Sequence, residues 1–469
     1  MQYNLDFLNI GNSFPPKEEA WRMKEYQDMR NLLLGHTEQV VNGYWARFNN
    51  GDKTQNVKFI ELNYFKLIAS KTADLVCGEK PDVILPDDLS KEEEKKIANI
   101  IGSVNTRLRK AVFDYISLGD TTLRPYRTEE GKAQVSIISP HLWMPVVNPE
   151  DTSEYQYQVV GYADRMNGRD VLKIQIHDKG SYIERVHRTS AKEESFNYKG
   201  CSCKYKSYDI GKLIDENVVQ TGLDTFAIKH IANEATSSCV YGVSDFKAIC
   251  SLVADLEVRF AQRDIILDKH ASPSIAAPES NFEYSHDQSG EITGIQQGLL
   301  LGNAWVMQEN GQIPQYVTWD GQLQAVERDI QDKMQQLFIL TEMGAVLDDT
   351  DNGGTQGYEA LQVRMVNARL KARRIVEQLD TVYKEIINDM YKLETGKDLK
   401  YDFSVVWNDG LPDDAKRNAE VAKMINESGF KSKISIRKEF FNMTETQAEE
   451  EQKIIDEETP EAFEANIFE

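Results

Sequence analysis

The sequence predicts an α+β chain, mainly helical, with one long spine helix and small mixed sheets. Three observations predict it. In the last third, apolar or small residues recur at Leu361, Met365, Ala368, Ala372, Ile375, Leu379, Tyr383, Ile386, Met390 and Leu393. Spacings of three and four make one stripe along a helix packed on one side. No proline interrupts 358–393, and Thr395-Gly396 supplies a stop. At 1.5 Å per residue the rod is roughly 50 Å long, about three times the usual globular helix. Residues 121–229, by contrast, break into short alternating or β-branched pieces. Finally, helical runs at 244–269 and 323–343 bracket a glycine-rich stretch, 271–321. A chain with that order runs out along a stalk, folds a small tip and returns.

Bulk composition bounds the rest. The chain has 469 residues, enough for two to four domains with real cores. Hydrophobic residues make up 41% and charged residues 28%, ordinary for a soluble folded protein. Lys plus Arg is 54 and Asp plus Glu is 76, a net charge of −22. Such a chain is poorly suited to gripping nucleic acid over a broad surface, because that affinity comes from neutralising phosphates. Cys77, Cys201, Cys203, Cys239 and Cys250 are too scattered for a disulfide framework and suit a reducing, intracellular setting. The first residues carry neither a basic patch nor an apolar core, so no signal peptide is expected. No run approaches the ~18 apolar residues of a spanning helix, so no membrane is expected.

In chain order, 17–34 reads as a helix through Trp21, Met29, Leu32 and Leu33. A second, 59–76, runs through Leu62, Phe65, Ile68, Ala69, Ala73 and Val76, and Cys77-Gly78 with Pro81 stops it. Residues 82–85 are β-prone, and 89–120 is helical again, ending at Gly119. Strands are expected at 122–126, 133–138, 144–147, 155–162, 171–177 and 182–187. Ser244 is an N-cap for the next helix, whose core stripe is Ile249, Leu252, Val253, Leu256, Phe260 and Ile265. Strands at 303–308 and 315–319 fall in the tip, and 401–407 is a further strand. Short helices at 413–427 and 434–441 precede a strongly acidic one at 444–458.

Patterns for catalysis are missing. There is no GxxxxGK[ST] loop, no GxGxxG after a strand, no HExxH and no GxSxG. The seven histidines, His36, His141, His177, His187, His230, His270 and His286, form no i,i+4 pair and read as surface or hydrogen-bonded groups. Cys201-Ser202-Cys203 with His187 upstream is half a soft-metal site without a second half. The loop Asp348-Asp349-Thr350-Asp351-Asn352-Gly353-Gly354 is the best candidate for a hard cation. Against an EF-hand template starting at Asp349, Gly354 fits the sixth position. Gly353 at the fifth has no oxygen, and Ala360 stands where the bidentate glutamate belongs. Calcium is rejected, no cofactor is implied, and a carboxylate cluster for two-metal phosphoryl transfer stays open as an alternative.

Two charge features remain. Arg364, Arg369, Lys371, Arg373 and Arg374 lie in a stretch, 364–374, without a single acid. They spread over more than one helix face, so they make no clean DNA-reading stripe. They either pair with acidic partners on a neighbouring subunit, which the acidity of the rest of the chain favours slightly, or are simply solvated. In the tail, Glu445, Glu449, Glu450, Glu451, Asp456, Glu457, Glu458, Glu461, Glu464 and Glu469 face only Lys453. By default this is a solubilising surface.

The order of elements and several strings resemble the portal proteins of tailed bacteriophages, the siphophage group in particular. Asn63-Tyr64-Phe65-Lys66-Leu67-Ile68 followed by Cys77-Gly78-Glu79-Lys80-Pro81 looks like their first wing helix and its turn. Val135-Ser136-Ile137-Ile138-Ser139-Pro140 and Trp143-Met144-Pro145-Val146 look like wing strands, and Tyr241-Gly242-Val243-Ser244-Asp245 like the start of the stem. Gly357-Tyr358-Glu359-Ala360-Leu361 resembles the opening of the spine helix, with Gln356 where serine is usual. Most specific is the ending: Trp407-Asn408-Asp409-Gly410-Leu411-Pro412-Asp413-Asp414, then Gly429, Ile434-Ser435 and Asp456-Glu457-Glu458. The resemblance spans nearly the whole chain and is weak over 189–231.

It implies a portal fold: arm and wing at 1–242, stem helices at 243–270 and 323–343, and a clip at 271–322. A tunnel loop at 344–357, spine helix and wing strand at 358–412, and crown with acidic tail at 413–469 complete it. It implies a non-enzymatic ring of about twelve copies at one capsid vertex, passing double-stranded viral DNA. Implied partners are the terminase large subunit, the head–tail connector, and capsid and scaffolding proteins, with assembly in the host cytoplasm and residence in the virion. Within it, 348–354 is the loop nearest DNA, Arg364–Arg374 the subunit contact, and Trp305, Met307, Tyr316 and Trp319 the clip docking residues. A generic helical scaffold is the remaining alternative.

Overall fold

The computed structural model describes residues 1–41, 60–86, 89–271, 274–278, 283–286, 292–296, 304–307, 315–317, 323–347, 363–399, 403–407, 415–440 and 445–458. The chain is α+β, with more helix than strand and sheets of two to five strands. It divides into two units. One comprises Met1–Thr72, Lys110–Arg124 and Ser136–Asp351; the other comprises Ala73–Arg109, Pro125–Val135 and Asn352–Glu469.

The first unit is centred on a five-stranded antiparallel sheet in the order β11-β8-β7-β6-β5. Its strands are β5 (Trp143–Val147), β6 (Tyr155–Met166), β7 (Arg169–His177), β8 (Ser181–Arg188) and β11 (Leu213–Gln220). Side chains alternate across a strand, so adjacent residues serve different cores. Met144, Val146 and Val159 pack with Phe7, Phe14 and Ile210, whereas Trp143, Val147 and Val160 pack with Ile228, Val240 and Tyr241. All five residues of β5 are buried, as expected of a strand covered on both faces.

Each strand expected between 122 and 187 forms, within a few residues of its bounds. Beyond them, β9 (Ala191–Tyr198) and β10 (Cys201–Asp209) form a hairpin extended by β1 (Ser13–Phe14). No individual strand is expected beyond 187 in this region, yet β9, β10 and β11 form there, and they are largely exposed. Cross-strand charge pairs mark them instead. Lys204 meets Glu193 at 2.9 Å, Lys192 meets Asp209 at 2.7 Å, and Arg185 meets Glu216 at 2.6 Å.

The helices follow the periodic segments, with corrected ends. They are α1 (Ala20–Leu33), α2 (Thr37–Val40), α3 (Tyr64–Cys77), α4 (Lys91–Leu118), α5 (Phe246–Ala271), α6 (Leu323–Thr341) and α7 (Gly344–Leu347). The expected start of α3 at 59 is too early. Asn63 stops the extended chain there, its Oδ1 accepting from the Lys66 N–H at 3.1 Å. Ser90 and Glu93 cap α4 reciprocally: each side chain takes the other's backbone N–H at 3.3 Å. Residues 344–347, expected as loop, form a helical turn after Glu342 takes a positive φ of 58°.

Where α4 ends and α5 begins, two backbones touch. Gly119 adopts a left-handed φ of 88°, and its carbonyl accepts from the Asn233 N–H at 2.8 Å. Ser244 Oγ accepts from the Phe246 N–H at 3.2 Å, as an N-cap should, and donates to the Ser117 carbonyl at 2.7 Å. The last turn of one helix and the cap of the next thus satisfy each other. A Cβ on Gly242 would stand 2.0 Å from the Gly119 oxygen. Gly242→Ala is therefore expected to cost roughly 1–3 kcal/mol in thermal unfolding. Gly102→Ala, inside α4 with nothing within 4 Å, should instead be neutral or stabilise by about 0.5–1 kcal/mol.

The second unit contains α8 (Val366–Thr395), 30 residues long. Its stripe is the expected one: Met365, Ala368, Ala372, Ile375, Leu379, Tyr383, Ile386 and Met390 are all buried. Gly396 ends it at φ 71°, its N–H donating to the Lys392 carbonyl at 2.8 Å. The helix was expected to run unbroken from 358; Met365 instead precedes its first turn at φ −84°, ψ 2°. Residues 358–362 lie outside the described residues. The short strands β2 (Asp82–Ile84) and β18 (Ser404–Val406) pair antiparallel, joining segments over 300 residues apart in sequence. Helices α9 (Ala415–Ser428), α10 (Lys433–Phe440) and α11 (Glu445–Glu458) follow, with Arg437 reaching Gln452 at 2.8 Å.

Candidate functional site

The three groups of expected site residues fare differently. Asp348, Asp349, Thr350, Asp351, Asn352, Gly353 and Gly354 lie outside the described residues, as does Trp319. Trp305 and Met307 fall on β16 (Ala304–Met307), and Tyr316 on β17 (Gln315–Val317). Both strands flank β13 (Ser274–Pro278), β16 parallel and β17 antiparallel. Trp305 stands opposite Ala276, Met307 opposite Pro278, and Tyr316 opposite Ile275. The structure thus gathers three of the four residues into one small sheet. A hairpin, β14 (Glu283–His286) with β15 (Ile292–Gln296), completes the described part of this segment.

The segment is carried between α5 and α6, which pack along each other. Their contact is tied by charges. Arg259 reaches Asp329 at 2.9 Å and Asp255 at 3.9 Å, and Lys333 reaches Asp255 at 3.3 Å while also pairing with Asp329. Each acid is shared by both bases. Sharing lowers the side-chain entropy cost per pair relative to isolated bridges.

The base of α5 is fixed by a buried polar cluster. Asp120, at the start of β3 (Asp120–Arg127), accepts from Tyr26 Oη at 2.6 Å, His230 Nε2 at 2.8 Å and the Gly242 N–H at 2.9 Å. His230 stacks on Trp143 at 4.2 Å, and its Nδ1 takes the Tyr155 hydroxyl at 2.9 Å. Beside it, Arg22 donates to Glu19 at 2.8 Å and to the Pro140 and Trp143 carbonyls at 2.9 and 3.0 Å. Burial alone would push the Asp120 carboxyl up, but the bonds from His230, Gly242 and Tyr26 hold it below the usual range. Burial and the Asp120 charge push the Tyr26 hydroxyl well up. An Asp–His–Tyr set has the chemistry of an acid–base relay. With the Asp120 and His230 side chains 0% and 2% exposed, however, no substrate reaches it, and it acts as an anchor.

A second buried acid sits further along α5. Glu257 accepts from Thr37 Oγ1 and from the Leu62 N–H, both at 3.1 Å. Burial pushes its carboxyl up to about 7, outweighing those bonds, and Glu38 and Glu61 add to the rise. Its folded value exceeds the ordinary 4.5, so the protonated form favours folding. Stability from this group is complete below the ordinary 4.5 and is lost as pH rises from there through about 7. Glu257→Gln keeps an acceptor for both donors and removes the titration. The variant should melt higher than the parent at pH 8, by up to about 3 kcal/mol, and near it at pH 5.

The basic cluster falls at the start of α8. Arg373 and Arg374 are exposed, Arg364 and Arg369 half-buried, and Lys371 buried at 9% exposure. They spread over more than one helix face, as expected, and the helix turns Lys371 into the packed face with Ala372 and Ala368. Arg369 and Arg373, one turn apart, rim a cavity of about 500 Å³ whose walls are Leu75, Val366, Leu370, Val376 and Trp407. Sequence reasoning misses this cavity, because Leu75 and Trp407 are remote from 366–376 in the chain.

Cys201 and Cys203 sit two apart on β10, and His187 Nδ1 is engaged by the Gly211 carbonyl at 2.9 Å. Among the described residues no three His, Cys, Asp or Glu side chains are placed to hold a metal. No described helix is long and apolar enough to cross a membrane.

Residues 16–209 match the family model described as phage portal protein, SPP1 Gp6-like. The resemblance to tailed-phage portals drawn from the sequence holds over this stretch, which takes in α1, α3, α4 and the strands through β10. The match includes 189–209, where the strings themselves showed little likeness. No curated protein matches. Among solved structures, the neck of a native GTA particle computed with C12 symmetry is 12% identical, covering 92% of this chain and 96% of that one, with a TM-score of 0.43. The virion of a native gene transfer agent particle is 12% identical over the same shares, with a TM-score of 0.42. The neck of an empty GTA particle computed with C6 symmetry is 13% identical, covering 85% and 93%, with a TM-score of 0.41.

Proposed function

We propose that the chain is a phage portal protein: a ring of about twelve copies at one capsid vertex. It passes double-stranded DNA during packaging and ejection. It also docks the terminase large subunit and later the head–tail connector, and contacts capsid and scaffolding proteins. The ring is assembled in the host cytoplasm and resides in the virion. The observation that carries this reading is the family match over residues 16–209. In this reading α5 and α6 are the stem, the segment bearing Trp305, Met307 and Tyr316 is the clip, α8 is the spine, and 413–469 is the crown.

Charge agrees with a conduit. Twelve copies at −22 each make a ring near −264, which repels DNA instead of holding it. Each lysine–phosphate contact would add affinity, and so friction, to a duplex that must move both ways. Asp348, Asp349 and Asp351, repeated round a ring, make a low-adhesion collar. The ring does no catalysis in this reading; a partner motor hydrolyses ATP. No specific observation favours the phosphoryl-transfer alternative.

Native mass measurement with negative-stain imaging of the purified chain tests the proposal. Closed rings of roughly a dozen copies with an open centre are expected, the head-to-tail closure of a cyclic assembly. A compact monomer or dimer at high concentration, in low and high salt alike, would overturn it.

A further inference from the structure

The cavity at the start of α8 combines apolar walls with a basic rim. Its floor and walls are apolar, and Val366 and Leu370 keep 45% and 47% of their surface exposed. Trp407 forms a fixed wall: its ring meets Tyr383 edge-on at 5.5 Å, and its indole N–H donates to Asp380 at 3.0 Å. Arg369 and Arg373 stand on the rim, in a stretch with no acid between 364 and 374. A preformed apolar slot of this size with the exposed Arg373 guanidinium at its edge selects a ligand with aromatic or aliphatic side chains and nearby carboxylates. On a chain of net charge −22 this is a local exception.

The chain itself holds a sequence of that kind. Residues 459–469, Thr459-Pro460-Glu461-Ala462-Phe463-Glu464-Ala465-Asn466-Ile467-Phe468-Glu469, carry three acids, no base and three large apolar residues. They belong to the same unit as the cavity. Eleven residues reach up to roughly 35 Å beyond Glu458. Solubility alone accounts for the glutamates, but it gives no reason for Phe463, Ile467 and Phe468 among them.

We propose that residues 459–469 dock in the Arg369/Arg373 cavity of the same chain, apolar side chains against Trp407 and Leu370 and glutamates toward the arginines. This rests on the cavity and the charge pattern, and it stands independently of the portal reading. Docking would cover Val366 and Leu370 and set acids beside Arg373. A competing acidic–aromatic peptide would then have to displace the tail first.

The test uses the full chain with a benzophenone amino acid in place of Phe463, mixed with isotopically heavy unmodified chains before irradiation. Cross-links should join position 463 to peptides containing Val366, Leu370 or Trp407, within light chains only. Arg373→Glu, a change at an exposed position, should lower their yield about fivefold. Replacing Ile467 and Phe468 together by serine should lower it as well. Cross-links confined to other sites, a yield indifferent to Arg373→Glu, or predominantly light–heavy products showing a second copy as occupant would each overturn the proposal.

Discussion

The first unit depends on how one carboxylate, Asp120, is satisfied. It lies where α4 has ended and β3 begins, and burial removes the water that would solvate it. Three donors replace that water, from α1, from β12 (Lys229–Ala232) and from the turn ahead of α5. An unpaired buried carboxylate costs far more than any one of these bonds returns, so all three elements must be present together. The same corner brings Gly119 and Gly242 into backbone contact and lets Ser244 cap α5 against the end of α4. Direction at the base of α5 is thereby set by hydrogen bonds, which are angular, rather than by apolar packing, which is not.

Further along α5 the constraint changes in kind. Glu257 joins it to α2 and the chain ahead of α3, and the four-charge network joins it to α6. These ties are weaker and depend on pH or salt. The ties along α5 thus change in kind, from direct hydrogen bonds at the Asp120 corner to a titratable carboxyl and ion pairs further along.

Some of this was legible in the sequence. The stripe of α8 reads directly, because every position from Met365 to Met390 repeats at helical spacing and is buried. The caps at Ser244 and Gly396 read directly as well. The reciprocal cap at Ser90 and Glu93 follows a known spacing and could have been found. By contrast, β9, β10 and β11 could not be read from alternation, since exposed strands held by cross-strand pairs show no apolar period. The Asp120 cluster was equally hidden. Its members, Tyr26, Asp120, His230 and Gly242, are brought together only by tertiary structure. Likewise Lys371 counts as surface in a sequence of arginines, although the helix turns it inward.

Hydrogen exchange on an Asp120→Ala variant tests the central claim most directly. The amides of Asn233, Val243 and Asp245 donate to the Gly119, Asn233 and Ile116 carbonyls, not to the Asp120 carboxylate. If the carboxylate organises the corner, all three amides should lose protection together with Gly242, while amides between β6 and β7 stay protected. Faster exchange confined to Gly242 would contradict the account. Asp120 would then be one hydrogen-bond acceptor among many, and the base of α5 would be held by apolar packing.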